Sequence, residues 1–337
     1  MSGSPPLLEV SRLGVAYETR RGRIHAVQEV SFRLENGRSL GLVGESGCGK
    51  SQTCFAIMGL VGRNARVTGS ARLEGRELVG LSRRQLDRIR GSRIGMIFQD
   101  PMTALTPHMT VGAQLTEVVR HHEGAGRVAA RDRALEIMER MRINEPARRF
   151  DMYPFELSGG MRQRIVIAAA LILRPSLVLA DEPTTALDVT VQAEVLRALR
   201  GAIDHTSTSL ILVSHDLGVV SGICDDVAVM YAGRIVEHGE AAEVFGAPRH
   251  PYTRALLACR PALDAPASRY LPAIDGQPPA PAATIVPGCA FRNRCPAATA
   301  RCAAERPLLS ECGTGGRHQA ACLVEVPACR TSTGEAA

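Results

Sequence analysis

The string with the clearest chemistry is Gly44-Glu45-Ser46-Gly47-Cys48-Gly49-Lys50-Ser51. It fits G-x-x-x-x-G-K-[ST], a loop whose backbone amides cradle phosphates while its lysine reaches the β- and γ-oxygens. Lys50 is the only lysine among 40 basic residues; the rest are arginines. On a solvated surface arginine replaces lysine freely, because only the charge counts there. Inside a loop of amides a compact ammonium acts as a point charge, and a planar fork does not fit. Gly44 to Ser51, with Gln52 behind them, are therefore the expected phosphate contacts, and the Ser51 hydroxyl is an expected Mg²⁺ ligand.

A second group follows Leu177-Val178-Leu179-Ala180, four apolar residues that read as a buried parallel strand. Asp181 and Glu182 then stand at the sheet edge, where open α/β folds bind ligands. Asp181 is placed to hold Mg²⁺ and Glu182 to orient and polarise an attacking water. A third string, Leu157-Ser158-Gly159-Gly160-Met161-Arg162-Gln163-Arg164, opens a helix with a serine and two glycines, again aiming amides and a helix dipole at an anion. One nucleotide rarely needs two such helix starts, so Ser158, Gly159 and Gly160 are expected to serve a nucleotide on another subunit. An ordinary N-cap by Ser158 is the competing explanation.

Six of the ten cysteines fall in the last 49 residues. Cys289, Cys295, Cys302 and Cys322 are spaced C-x5-C-x6-C-x19-C, with Cys312 and Cys329 outside the series. The spacing lacks the short knuckles of structural zinc sites. Four thiolates in a segment with little other core suit a [4Fe–4S] cluster. Zinc and unmetallated small hydrophobes stay open as alternatives. Cys54, Cys224 and Cys259 read as core residues, and Cys48 as a small residue in the loop.

The elements that must position these groups are legible in outline. Residues 7–34 alternate and read as antiparallel strands. Ser39–Val43 is a short strand leading into the phosphate loop, with a helix from about Gly49 to Leu60. Val67–Leu73 reads as a strand, residues 110–145 carry helical periodicity, and Met161–Leu173 reads as a buried helix. Leu210–Val213 repeats the buried-strand pattern, and Val227–His238 reads as a hairpin around Ala232-Gly233. Residues 261–287 are proline-rich and read as an ordered-coil wrap, and Thr331–Ala337 as a disordered tail. The chain is 45% hydrophobic but only 4% aromatic, so its core is aliphatic. The net charge of +6 is spread over scattered arginines, without a run of five like charges. No apolar stretch reaches 18 residues, and the N-terminus lacks the pattern of a signal peptide, so a cytoplasmic location is expected. Disulfides are unexpected there.

The phosphate loop, Leu157–Gln163, Leu179–Pro183, Ala186-Leu187-Asp188 and Val213-Ser214-His215-Asp216, in this order, resemble the ATP-binding cassette ATPases over roughly residues 7–245. The resemblance implies an α/β fold: a P-loop (RecA-like) nucleotide-binding domain over 1–245 with an antiparallel β-subdomain and a helical subdomain at about 100–165. It implies ATP and Mg²⁺ as cofactors, and a head-to-tail dimer with ATP between phosphate loop and signature string. It assigns Gln99 to the Mg²⁺ and γ-phosphate sensing loop that contacts membrane subunits. His215 falls to the γ-phosphate and to positioning Glu182, Tyr17 to stacking on adenine, and Asp188 to the nucleotide-binding set.

Gly44–Ser51, Phe98–Met102, Leu157–Arg164 and Asp181–Val191 further resemble oligopeptide/dipeptide-type importer ATPases. The tail agrees: His250-Pro251-Tyr252-Thr253, Gly276-Gln277-Pro278-Pro279 and Gly288–Pro296. Residues 246–337 are then a C-terminal extension with a Cys cluster at 289–322, and the tail resembles cluster-bearing members. Met161, in place of the glutamine common in the superfamily, resembles one of two paired ATPase types and implies a sister ATPase. The implied partners also include two integral-membrane permeases and, indirectly, an extracytoplasmic binding protein, with the chain peripheral on the cytoplasmic face. Nucleic acid is not an expected partner. A soluble cassette ATPase acting on DNA would carry long insertions between Lys50 and Ser158, and a monomeric P-loop kinase would not need Leu157–Gln163. Peptides are the default cargo, with nickel and glutathione as alternatives.

Overall fold

The structure, a computed structural model, describes residues 5–20, 22–185, 187–259, 273–279, 287–312 and 317–324. The expected tail at 331–337, most of the proline-rich wrap, Ala186 and Cys329 lie outside them. The elements begin with β1 (Leu8–Thr19), β2 (Gly22–Leu34), β3 (Ser39–Val43), α1 (Lys50–Met58), β4 (Ala65–Leu73), β5 (Arg76–Glu77), α2 (Arg83–Asp87) and β6 (Ile94–Ile97). Five helices follow, α3 (Pro101–Ala104), α4 (Val111–Glu123), α5 (Arg127–Arg140), α6 (Pro146–Phe150) and α7 (Gly159–Leu171). Next come β7 (Leu177–Asp181), α8 (Val189–Thr206), β8 (Ser209–Ser214), α9 (Leu217–Ile223), β9 (Asp226–Tyr231) and β10 (Arg234–Glu240). The C-terminal part holds α10 (Ala241–Gly246), α11 (Pro251–Ala258), α12 (Ala300–Ala304), β11 (Ser310–Glu311) and β12 (Gln319–Ala320). They belong to two compact units.

The first unit takes in residues 33–39 and 72–213. Its strands β6, β7 and β8 run parallel, with Ile94 opposite Leu177 and Val178 opposite Leu210. β7 and β8 are buried at every position, which is why they read as unbroken aliphatic runs rather than alternations. Helices α4, α5, α6 and α7 pack on one another, burying Val111, Leu115, Val119, Ala134, Met138 and Ile167. α7 starts at Gly159, two residues before the expected Met161. Ser158 is extended and its hydroxyl accepts from the Met161 N–H at 3.4 Å, so the cap outweighs the low helix propensity of two glycines. α8 was not read from the sequence. It buries Val195, Leu196, Leu199, Ala202 and Ile203, an apolar stripe at helical spacing.

The second unit takes in residues 9–32, 40–71 and 214–337. Here β2, β1 and β4 lie side by side in one sheet. In the other, β3 pairs parallel with β9, and β9 pairs antiparallel with β10. The hairpin turn is Ala232-Gly233, with φ of 48° and 80°, the left-handed backbone at both central positions that a two-residue hairpin requires. Beyond it, β12 pairs with β10 through Glu237 opposite Ala320, and β11 pairs with β12. The cysteine-rich segment thus contributes strands as well as loops. Tyr231, Tyr252 and Phe291 pack ring to ring at 4.6–5.3 Å and are each at most 1% exposed. In a chain this poor in aromatics they form the anchor of the C-terminal segment.

Candidate functional site

In the second unit, β3 delivers the chain into the phosphate loop and the loop into α1. Gly44 has φ of 148°, and a Cβ there would stand 2.2 Å from the Met230 carbonyl oxygen, so no other residue fits. Gly49, at φ 104°, is the N-cap of α1 and brings no side chain to cap it, leaving the helix start for an anion. Lys50 is 5% exposed. Its Nζ donates to the Gly44 and Glu45 carbonyl oxygens at 2.8 and 3.0 Å, and lies 3.8 Å from Cys48 Sγ. Burial pushes the Cys48 thiol pKa up, with the Lys50 charge acting in the opposite sense. A buried ammonium held by two loop carbonyls, beside an uncapped helix start, fits a nucleotide polyphosphate. The Tyr17 hydroxyl donates to the Gln52 side chain, which brings these two expected contacts together. His215 follows Ser214 and is exposed, and Asp216 caps α9 by accepting from the Gly218 N–H at 2.8 Å.

In the first unit, β7 ends on Asp181, which is 4% exposed. Glu182 then takes φ of 47°, and its N–H donates to the Val213 carbonyl at 3.0 Å. Its carboxylate accepts from Gln99 Nε2 at 3.1 Å and from the Thr185 hydroxyl at 3.0 Å. Gln99 and Glu182, 83 positions apart, are thus brought together. Thr185 was missed as a contact, although it lies in the Thr184-Thr185 pair that follows Pro183. Asp188 accepts from the Val191 N–H at 3.0 Å and caps α8. Gly160 is needed for close packing, since a Cβ there would meet Val191 Cγ1 at 2.5 Å. Beside the start of α7 lies a cavity of about 440 Å³, lined by Ser158, Gly160, Met161, Arg164, Glu194 and Arg197 among others.

The four cysteines of the spaced series lie in the second unit, within electrostatic reach of one another. The Cys289 N–H donates to the Cys302 carbonyl at 2.8 Å. Burial pushes the Cys289, Cys295 and Cys322 thiols up, and Cys302 raises each further; Cys322 also raises Cys289 and Cys295. The Thr299 hydroxyl, by contrast, holds the Cys302 thiol down. Cys312 acts on Cys322. Among the described residues no three His, Cys, Asp or Glu side chains stand close enough to hold a metal ion. That speaks against a single zinc ion. The same finding leaves the expected [4Fe–4S] cluster without a metal-binding group among the described residues.

The family pattern described as "ABC transporter" matches residues 27–185, and "Oligopeptide/dipeptide transporter, C-terminal region" matches residues 236–302. The oligopeptide transport ATP-binding protein OppD of Salmonella typhimurium is 48% identical over 302 residues, 90% of each chain. The chain belongs to the ABC transporter family. The OppD protein of Haemophilus influenzae is also 48% identical, over 88% of this chain and 91% of its own. Among solved structures, the ATP-binding cassette MJ0796, a dimer bound to ADP and Pi, matches with a TM-score of 0.62 at 26% identity, covering 69% of this chain and 98% of its own. CbiO1 of Clostridium perfringens, part of the cbiONQ transporter complex, matches with a TM-score of 0.63 at 26% identity, covering 72% and 91%. The expected ABC cassette fold and the expected class, an ATPase coupled to transport, agree with this membership.

Proposed function

We propose that this chain is the ATP-hydrolysing subunit of a peptide importer. The observation that carries the reading is the 48% identity to an oligopeptide transport ATP-binding protein over 90% of both chains. Lys50 and the amides of Gly44–Gln52 bind the β- and γ-phosphates, and Tyr17 stacks on adenine. Ser51, Gln99 and Asp181 are the residues that would hold Mg²⁺. Bound Mg²⁺ neutralises charge on the β- and γ-oxygens. Glu182 orients the attacking water and takes its proton as the water adds to the γ-phosphorus and the bond to the β–γ bridging oxygen breaks, with ADP as the leaving group; His215 serves the γ-phosphate and the positioning of Glu182. Catalysis is then mostly positioning and electrostatics. Ser158, Gly159 and Gly160 offer their amides to the nucleotide of a sister ATPase, with Asp188 in the same binding set. The dimer closes on ATP and reopens after hydrolysis, and the permeases follow that motion.

In this reading the partners are a sister ATPase, two integral-membrane permeases and, through them, an extracytoplasmic binding protein. No helix of the described residues is long and apolar enough to cross a membrane. In this reading the permeases attach the chain to the cytoplasmic face. Cys289, Cys295, Cys302 and Cys322 are the residues that would hold a [4Fe–4S] cluster, which would tie the C-terminal extension into a compact body, since metal binding supplies folding free energy that a small core lacks.

The test is reconstitution of the chain with its permeases and sister ATPase in proteoliposomes. ATPase activity should rise when the binding protein is loaded with peptide. A response to nickel complexes or glutathione, and none to peptides, would overturn the cargo while leaving the ATPase intact.

A further inference from the structure

Glu45, the second residue of the phosphate loop, has all three of its polar groups engaged. Its N–H donates to the Tyr252 hydroxyl at 2.8 Å, and its carbonyl accepts from Lys50 Nζ at 3.0 Å. Its carboxylate is gripped on both oxygens by Arg294, whose two terminal nitrogens donate at 2.7 and 2.9 Å. Arg294 lies 249 positions further along the chain and immediately precedes Cys295. Its side chain is 5% exposed. It is itself held in place by the Asp275 carbonyl, which accepts from its Nε at 2.9 Å, and by the Tyr231 and Phe291 rings about 6 Å away.

A carboxylate in a loop that receives a polyanion is a like charge in the wrong place. A bidentate guanidinium both cancels that charge and fixes where it points. Surface ion pairs contribute little, but this one is largely withdrawn from water and geometrically constrained. We propose that Arg294 is a positioning residue for the phosphate loop. Through Glu45 it sets the loop's shape and removes the carboxylate's repulsion of nucleotide, so that ATP affinity depends on the folded four-cysteine segment. Arg294 itself touches no nucleotide. The proposal rests on the ATPase reading of the loop.

The test uses the full chain in its assembled transporter, with MgATP as the probe and two readouts. One is amide hydrogen exchange over residues 44–52 without nucleotide, which reports the loop whether or not ATP binds. The other is the MgATP dissociation constant. Arg294→Ala should quicken exchange in the loop and weaken MgATP on the order of tenfold, within the range typical of linked sites, with kcat at saturating ATP changed far less. Adding Glu45→Gln to Arg294→Ala should restore most of the affinity, because the uncompensated charge is gone. A lesion that merely loosened the fold would not be rescued this way. Wild-type exchange and affinity in Arg294→Ala would overturn the proposal, as would failure of Glu45→Gln to rescue. If Arg294→Ala does not accumulate, Arg294→Lys replaces it: an ammonium cannot span both carboxylate oxygens, so loop exchange should quicken, and unchanged exchange would count against the proposal. A wild-type chain that binds no MgATP would overturn the ATPase reading instead, while the exchange data still decide whether Arg294 holds the loop.

Discussion

Gln99 Nε2 donates to Glu182 Oε2 at 3.1 Å, joining the residue expected to sense Mg²⁺ to the residue expected to activate water. The Thr185 hydroxyl donates to the same carboxylate oxygen at 3.0 Å, so Glu182 is oriented from two sides before any water arrives. The carboxylate also sits on a backbone with φ of 47°, an unfavourable conformation for a residue with a Cβ. Strain of this kind persists where surrounding contacts over-determine it, and it gathers at functional sites.

Glu182→Gln should therefore bind MgATP and barely hydrolyse it. The amide keeps the shape and can still meet Gln99 and Thr185, but it cannot take the water's proton. Loss of turnover should be on the order of 100-fold or more, as for other positioned catalytic groups. Steady-state ATPase assays on the reconstituted transporter, with equilibrium nucleotide binding alongside, measure both halves. Near-wild-type turnover would reject Glu182 as the base.

Lys50 offers a chemical test that few proteins allow. With one lysine in the chain, amine-reactive reagents have only Lys50 and the α-amino group to label. Saturating MgATP should protect Lys50 and leave the N-terminus reactive, read by peptide mapping. Equal labelling with and without MgATP would remove Lys50 from the phosphate site.

The cysteine assignment predicts colour and stoichiometry. Protein prepared without oxygen should be brown and carry roughly four iron atoms per chain, as the cluster type requires. Serine at Cys289, Cys295, Cys302 or Cys322 should bleach it, whereas serine at Cys312 or Cys329 should not. Cys312 is the sharper control of the two, because it stands within electrostatic reach of Cys322. Iron analysis and the visible spectrum of each variant decide the matter, and zinc in place of iron would sink the cluster.

His250 predicts an acid sensitivity. It is 1% exposed, and burial holds its pKa down to about 4, opposed by the Glu237 charge. Its Nδ1 accepts from the Tyr252 N–H at 3.0 Å, which requires that nitrogen unprotonated. Above about pH 6.5 the imidazole is neutral in folded and unfolded chains alike. Between there and about 4 the unfolded chain binds a proton that the folded chain refuses, so stability falls as pH drops, by roughly 3 kcal/mol in all. Denaturant unfolding at pH 7 and pH 4.5 should register this, and His250→Asn, which keeps a capping acceptor but cannot titrate, should flatten the difference.

The parts of the fold legible in the sequence were those fixed by local pattern. β7 and β8 are aliphatic over Leu177–Ala180 and Leu210–Val213 because both faces are covered, and the Ala232-Gly233 turn follows from the backbone that two residues must adopt. α8 escaped because its first turn, Val189-Thr190-Val191-Gln192, alternates apolar and polar residues, and its buried stripe begins only at Val195. At the site, the loop glycines and the Asp181-Glu182 pair announce themselves through residue type. The grip of Arg294 on Glu45 could not be read this way. Arginine is the commonest charged residue of the chain, and no periodicity links positions so far apart. Only tertiary structure distinguishes this arginine from the scattered surface set.

The pairing of β12 with β10 bears on truncation. β10 has β9 on one side, and on the other its main-chain groups at Glu237 and His238 are taken up by the C-terminal strand. Shortening the chain before residue 319 would bare that flank of β10, leaving unmet N–H and C=O groups in a row, a template on which a second chain can add itself. Among the described residues the outermost strand on that flank, β11, is two residues long, exposed and ends in a glutamate, a poor template by length and charge. The extension therefore also acts as a guard against self-association, and a trimmed cassette made for convenience would be expected to aggregate even with its phosphate loop unaltered.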